Sequence, residues 1–314
     1  MEVPAPATQI GSNTVFEDES TANSAIIGIY SAMTNSSGFA SGGLSSVTLL
    51  AGRSADDFFN YSQGAAAEFA ANELTQNNSY VNEYIWKEGY SYIYDANAII
   101  EGVAKSTHLS QTVKDQLHGE AKFLRGFCYF YLVNFFQHVP LITGTDYRVN
   151  SVAVRSSPDI VYAQIVEDLL AAKDLLKANY AVAEGQKTRA NQLAAMALLA
   201  RVYLYQAEWE KAEAESTLLI ESGLALESDI NNVFLKNSTE AIWQLIPPKG
   251  AFATNEGSIF ILTDIPSEVS LSKELMDSFE ANDVRKSQWT SSVNVAGTNF
   301  NFPFKYKVKY GDED

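Results

Sequence analysis

The sequence has few of the residues that build disulfide, redox or metal chemistry. Its 314 residues include one cysteine, so an intrachain disulfide is excluded. That residue, Cys128, lies in an apolar run, where a buried and unreactive thiol is expected. The three histidines, His108, His118 and His138, lack the close spacing of a zinc site. We therefore predict no metal and no cofactor.

Positive charge and long apolar runs are also scarce. Lysine and arginine total 22 against 38 acidic residues, which gives a formal net charge of −16. This balance argues against nucleic acid as a partner, because phosphates need a basic face. No apolar stretch approaches the roughly 18 residues that can span a bilayer. The start of the chain has no signal-peptide pattern, which fits either a cytoplasmic protein or one whose signal has been removed.

Familiar catalytic patterns are missing as well. The sequence contains no Gly-x-Ser-x-Gly, no phosphate loop and no dinucleotide-binding fingerprint. A glycosidase would need two carboxylates fixed across a cleft. Asp56 with Asp57, or Glu268, are candidates for such a pair, but no motif singles them out. We predict that the protein is not an enzyme and has no catalytic residues.

Helical periodicity dominates the middle of the chain. After an extended, polar lead-in over residues 1–19, apolar spacing predicts helices at about 20–33, 81–105, 113–137, 158–178, 189–206 and 209–222. The helix at 113–137 is apolar on nearly all sides and is expected to be the most buried. It also carries Glu120 and Arg125, which we interpret as a structural ion pair or as helix caps. Residues from about 224 to 314 are predicted to be irregular, with β-like runs at 240–246 and 300–308.

One helix pair follows the spacing of a tetratricopeptide repeat. In this pattern small residues let two antiparallel helices approach, and aromatic residues fill the gaps between them. The matching positions are Leu199, Ala200, Tyr203, Ala207, Trp209, Ala212, Ser216 and Leu219. A weaker pair is predicted at 81–105 with 113–137. The expected fold class is therefore mostly α, with tetratricopeptide-like antiparallel helix pairs, irregular loops and a few short β-strands.

Aromatic and short polar side chains alternate through residues 53–80, which we predict to form a long surface excursion. Sugar binding uses flat aromatic faces against C–H surfaces, with amides, carboxylates or guanidinium groups for the hydroxyls. Trp289, in a polar loop, is the preferred single platform. The predicted ligand residues are Asp57, Phe58, Asn60, Tyr61, Asn78, Tyr80 and Trp289. The alternative is that they only cover a core edge, as expected for Trp86, Trp209 and Trp243 on periodic elements.

Several segments together resemble the SusD/RagB family. The most specific is 120–141, Glu-Ala-Lys-Phe-Leu-Arg-Gly-Phe-Cys-Tyr-Phe-Tyr-Leu-Val-Asn-Phe-Phe-Gln-His-Val-Pro-Leu, which resembles the hallmark helix of that family and the exit after it. Segments at 94–97, 161–172, 194–209 and 240–243 also fit, in the right order. The likeness extends over roughly residues 10–310.

The resemblance implies a cell-surface binding protein of the Gram-negative outer membrane. Such a protein would bind an oligosaccharide or polysaccharide without cleaving it, and would deliver it to a SusC-type TonB-dependent transporter. It would be attached to the membrane by an N-terminal lipid anchor, on a cysteine expected upstream of Glu2 because none occurs at this N-terminus. A peptide-binding RagB-like receptor and, less favoured, a cytoplasmic tetratricopeptide scaffold are the alternatives.

Members of the family are usually much longer than this sequence. We therefore expect residues 20–314 to form one SusD-like domain from which the C-terminal portion is absent. Its helical-repeat core is expected at about 81–223, and its irregular, β-containing part at about 224–314.

Overall fold

The computed structural model describes residues 14–34, 38–246 and 253–311. Helices predominate and the strands are short, which confirms the predicted fold class. The helices are α1 Glu19–Met33, α2 Val47–Ser54, α3 Ala65–Ala71, α4 Glu88–Lys105, α5 Gln111–Phe136, α6 Tyr147–Asn150, α7 Pro158–Leu175, α8 Gln192–Tyr205, α9 Trp209–Glu221, α10 Asn255–Phe260, α11 Lys273–Ser278 and α12 Val284–Gln288. The strands are β1 Phe58–Asn60, β2 Val139–Pro140, β3 Arg155–Ser156, β4 Val269–Leu271, β5 Thr290–Val295 and β6 Thr298–Pro303.

The chain divides into two compact units. Of the described residues, the first unit contains 14–31, Gly89–Gly223 and Ile242–Gln244; the second contains 32–34, 38–88, Leu224–Ala241, 245–246 and 253–311. Most of the predicted helical-repeat region, about 81–223, falls in the first unit. Of the predicted lead-in, residues 1–13 lie outside the described residues, and the chain then makes a 3₁₀ turn at Val15–Glu17 before α1.

Helix α5 is the centre of the first unit. It packs against α7, which packs in turn on α8, and α8 packs on α9. Two glycines two turns apart allow α7 to approach closely, because a Cβ atom on Gly119 would lie 2.7 Å from the Cγ of Leu176. One on Gly126 would lie 3.3 Å from the Cγ of Leu169. As predicted, α5 is buried on nearly all sides, and the thiol of its Cys128 is buried in the core.

The α8–α9 pair has the short connection expected of a tetratricopeptide-like hairpin. Ala207, where the repeat pattern prefers glycine, has a φ of 58°, in the left-handed region that glycine adopts most easily. Trp209 was predicted to be core, and this is wrong, since the residue is 62% exposed. It occupies the first position of α9, and Ala212 and Leu219 form the buried side of that helix instead.

Buried charges connect α5 to its neighbours. The carboxylate of Glu120 accepts hydrogen bonds from Arg189, at 2.5 and 3.0 Å, and from the hydroxyl of Tyr30. The guanidinium of Arg125 donates to Asp168 at 2.7 and 2.8 Å. Both α5 residues are thus structural, but they do not pair with each other. Five residues apart on a helix of 3.6 residues per turn, they point in different directions.

The second unit contains the short strands that concern the candidate site. β1 pairs antiparallel with β4, and β5 with β6, while β6 lies beside β4. The β5–β6 hairpin turns at Ala296 and Gly297, both with positive φ, as a two-residue type I′ turn requires. Behind β1 lies a core of Leu49, Phe260 and Val269.

Two predictions about this part of the chain need correction. The segment 53–80, predicted to be a surface excursion rather than core structure, contains β1 and α3 and buries Arg53, Ala66, Phe69 and Asn78. The run at 240–246 pairs with no strand among the described residues. Its Trp243 instead packs in the first unit, with its ring centroid 5.1 Å from Phe123 and 5.5 Å from Phe127.

We expect Arg189→Met to lower the free energy of unfolding by about 3–5 kcal/mol, because it leaves the buried carboxylate of Glu120 without its cation. The matched control is Arg148→Met, which removes an exposed guanidinium paired with Asp146 and should cost at most about 1 kcal/mol. Urea unfolding followed by circular dichroism measures both. Equal losses in the two variants would contradict the structural role assigned to Glu120.

Candidate functional site

A five-residue extended segment, 57–61, forms the centre of the candidate site. The ladder between β1 and β4 continues beyond both ends of β1. The backbone N–H of Ser272 donates to the carbonyl of Asp57 at 3.0 Å, and that of Tyr61 donates to the carbonyl of Glu268 at 2.9 Å. Successive side chains of such a segment point to opposite faces. The pairing with β4 therefore sorts residues 57–61 into an inner and an outer set.

The inner set is Phe58 and Asn60. The ring of Phe58 stacks on that of Phe260 with 5.4 Å between centroids, and it packs against the Leu49 cluster. The side-chain amide of Asn60 donates to the carbonyl of Ser62 at 2.8 Å. Both were predicted to contact a ligand. For Phe58 the structure supports the alternative, in which the residue covers the core.

The outer set is Asp57, Phe59 and Tyr61. Phe59 is 60% exposed, and its ring centroid lies 5.0 Å from that of Tyr61. Tyr61 is 6.3 Å from Phe300 of β6, and its hydroxyl lies 3.2 Å from the hydroxyl oxygen of Ser270. Sequence analysis selected Asp57 and Tyr61 but missed Phe59. Side chains alternate between the two faces of a strand, so a strand assignment starting at Asp57 would have placed Phe59 on the same face as Asp57 and Tyr61.

Asn78 and Tyr80 have local structural contacts. Asn78 is 1% exposed, and its amide donates to the carbonyl of Ala65 and to the carboxylate of Glu68 at 2.8 and 2.9 Å. The ring of Tyr80, which begins a π-helical segment over Tyr80–Lys87, makes an edge contact with Phe69 at 6.4 Å. The side-chain amide of Asn78 is thus occupied by hydrogen bonds to α3, which argues against its predicted role as a ligand residue.

Trp289 is half-buried and held on more than one side. Its indole N–H donates to the carbonyl of Ile230 at 2.8 Å, and its ring lies 5.3 Å from that of Phe234 in an edge-to-face contact. The ammonium of Lys305 lies 5.4 Å from the Trp289 centroid and 5.2 Å from that of Phe234. The predicted free platform is therefore part of a packed cluster of two rings and a cation.

Lys305 connects this cluster to the outer set. Tyr61 contacts Phe300 of β6, the strand that Lys305 follows. Burial raises the pKa of Asp57, while the positive charge of Lys305 opposes the rise. Burial likewise lowers the pKa of Lys305, opposed by Asp57. The structure thus brings the predicted residues Asp57 and Trp289, far apart in sequence, into one region of the second unit.

An ion pair between the buried Arg53 and the half-buried Glu268 supports the end of the strand. Arg53 is 1% exposed, and its guanidinium donates to Glu268 at 2.9 Å and to the hydroxyl of Ser62 at 2.8 Å. Glu268, considered above as a catalytic carboxylate, is therefore committed to Arg53. In the part of the chain that the structure describes, no group of three or more His, Cys, Asp or Glu residues is placed to hold a metal ion. Nor does any described helix combine the length and apolarity needed to cross a membrane.

Comparison with known proteins points to one family. A SusD-like family, described as starch-binding and associating with the outer membrane, matches residues 9–204. Two SusD-like proteins of Formosa agariphila are 26% and 28% identical to the chain over 261 and 248 residues. Each match covers 76% of this chain and 47% of the relative. The chain thus spans about half the length of the curated relatives it matches.

Solved structures share the fold. A SusD superfamily protein from Bacteroides vulgatus superposes with a TM-score of 0.77 at 20% identity, covering 96% of this chain and 69% of that protein. A laminarin-binding SusD-like protein superposes with a TM-score of 0.72 at 21% identity, covering 92% and 72%. At such identities the likeness establishes the architecture only.

The alternation of residues 57–61 gives a stability test. We expect Phe58→Ala to lower the free energy of unfolding by roughly 1–3 kcal/mol, because it removes a partly buried ring from the Leu49 cluster. Phe59→Ala, the same substitution one residue later, should change it by less than about 0.5 kcal/mol. Thermal unfolding of the two variants measures the difference. A larger loss for Phe59→Ala would show that the faces have been assigned the wrong way round.

Proposed function

The chain belongs to the SusD-like family, and we propose that it binds a glycan on the outer face of segment 57–61 without cleaving it. The observation that carries this proposal is the composition of that face. It presents the exposed ring of Phe59, the ring and hydroxyl of Tyr61, and the carboxylate of Asp57. Rings can stack on the C–H surfaces of sugars, while the polar groups hydrogen-bond to hydroxyls.

The arrangement suits capture of a polymer by a few rings. Four residues of extended chain cover about 13 Å, so Asp57 and Tyr61 mark a strip long enough for more than one sugar ring. Phe59 lies between them, and Phe300 extends the aromatic surface beside Tyr61. Contacts at such open sites are individually weak. We expect a dissociation constant for short oligomers on the order of micromolar to millimolar.

Cleavage is not part of the proposal. Glycoside hydrolysis normally requires an acid and a second carboxylate fixed on either side of the scissile bond. Glu268 accepts hydrogen bonds from Arg53 and Ser62 at its Oε2, which ties this carboxylate to the end of the strand. Asp57 acts in the proposal as a hydrogen-bond acceptor for sugar hydroxyls.

We place this binding protein at the outer surface of a Gram-negative outer membrane, held by an N-terminal lipid and working beside a SusC-type TonB-dependent transporter. The support is the description of the matching family as associating with the outer membrane.

Mass spectrometry of the protein from its native host should find an acylated cysteine upstream of Glu2, and affinity purification should recover a β-barrel transporter. An unmodified cytoplasmic protein would contradict this localisation, yet it would leave glycan binding open to its own test.

The binding proposal predicts that Phe59→Ala and Tyr61→Ala each weaken glycan binding by roughly fivefold, since an exposed aromatic contact contributes about 1 kcal/mol. Affinity gel electrophoresis and calorimetry with laminarin, starch and xylan, and with a peptide mixture as control, measure the effect. Tyr147→Ala is the matched control, because Tyr147 is an exposed aromatic residue of the first unit. Unchanged affinity in both variants would place the site elsewhere, and selective peptide binding would favour a peptide receptor.

A further inference from the structure

Asp57 and Lys305 form an open pair of opposite charges on the candidate site. Each shifts the pKa of the other, so the two groups lie within electrostatic reach. Among the described residues, however, neither charged group takes part in a hydrogen bond or in a direct ion pair. The ammonium of Lys305 and the carboxylate of Asp57 can thus each form hydrogen bonds with a ligand.

The backbone holds both groups in position. The backbone of Asp57 is fixed at one end of the β1–β4 ladder, because its carbonyl accepts a hydrogen bond from the backbone N–H of Ser272. Lys305 follows β6, and its ammonium lies over the rings of Trp289 and Phe234, at 5.4 and 5.2 Å from their centroids. A cation at this distance from two rings is attracted to their faces. Both charged groups are therefore held in position, and Asp57 shares its face of segment 57–61 with the exposed ring of Phe59 and the half-buried ring of Tyr61.

An uncharged sugar suits such a pair. A hydroxyl group both donates and accepts, so one hydroxyl can donate to Asp57 while the same or a neighbouring hydroxyl accepts from Lys305. Hydrogen bonds in which one partner is ionised are stronger than those between neutral groups. The ligand would satisfy both charges without adding a charge of its own.

The charges around the site are less favourable for an anionic sugar. Asp56 adds a second negative charge beside Asp57, and its effect is to raise the pKa of Asp57 further. The nearby cation Arg285 is already paired with Asp283, to which it donates hydrogen bonds at 2.5 to 3.0 Å. A uronate or sulfate at Lys305 would therefore be a third anion beside an ammonium whose charge Asp57 already compensates.

We propose that this site selects uncharged glycans and rejects those carrying carboxylate or sulfate groups, with Asp57 and Lys305 bridged by sugar hydroxyls. This selection rests on the proposed function, since it describes the ligand class of the same site. It also makes Asp57 a specificity-determining residue, because it both binds hydroxyls and cancels the positive charge of Lys305.

Calorimetry and affinity electrophoresis of the whole chain at low salt test the selection. Laminarin, starch and xylan serve as neutral probes, and alginate and polygalacturonate as uronate probes. We expect binding to at least one neutral probe and no measurable binding to either uronate. Asp57→Asn should weaken neutral-glycan binding by roughly tenfold and at the same time raise the affinity for uronates, because Lys305 is then uncompensated.

The other variants distinguish an effect of charge on binding from a loss of folded structure. Lys305→Met should weaken neutral-glycan binding without creating uronate binding, and Asp56→Asn should raise uronate affinity. Lys286→Met, which removes an exposed lysine, is the control expected to bind like the parent chain. Melting temperatures exclude unfolding, and Asp57→Asn keeps the size and shape of the side chain.

Three results would overturn the selection in distinguishable ways. If the parent chain binds alginate or polygalacturonate more tightly than the neutral probes, the selection is wrong while glycan binding stands. If no probe of either class binds, the proposed function fails together with the selection. If Asp57→Asn and Lys305→Met bind neutral probes like the parent chain, the charge pair does not contact the ligand, and the selection is again wrong.

Discussion

A buried guanidinium bonded to a carboxylate is the constraint on which each unit of this protein depends. In the first unit, Glu120 and Arg125 extend from α5 in different directions and bind Arg189 and Asp168. Charges in such places are costly to desolvate, so these pairs add less net stability than their short distances suggest. Their effect is selective. Any packing of α5 that separates a pair leaves an uncompensated charge in the interior, and the observed neighbours of α5 avoid that penalty.

In the second unit, an ion pair with a buried guanidinium positions the candidate site. Arg53, buried in α2, binds Glu268 and Ser62, and the carbonyl of Glu268 in turn accepts from the N–H of Tyr61. The strand that carries the outer set of side chains is thereby attached to a buried charge. Because the attachment fixes which residues pair with β4, it also fixes which side chains face outward. A shift of one residue would exchange the two faces, moving Phe59 inward and Phe58 into solvent.

That dependence explains why the candidate site was only partly predictable. Composition drew attention to the stretch 53–80, and it selected Asp57 and Tyr61, which the structure places on the outer face. It also selected Phe58 and Asn78, which resemble ligand residues in type but pack inward, and it passed over Phe59. Residue type reports what a side chain can do, whereas the strand pairing decides which way it points. Trp289 illustrates a further limit, since its contacts come from Phe234 and Lys305, both distant in sequence.

The sequence by itself determined the helices, the central place of α5 and the family, because helical spacing and a long matching segment are local properties of the chain. Only the tertiary structure decided the partners. It paired Glu120 with Arg189 rather than with Arg125, exposed Trp209, left 240–246 without a partner strand among the described residues, and brought Asp57 within electrostatic reach of Lys305. The reason is physical. Periodicity is set by neighbours within one or two turns, but ion pairs and strand ladders join residues whose separation along the chain carries no information about their distance in space.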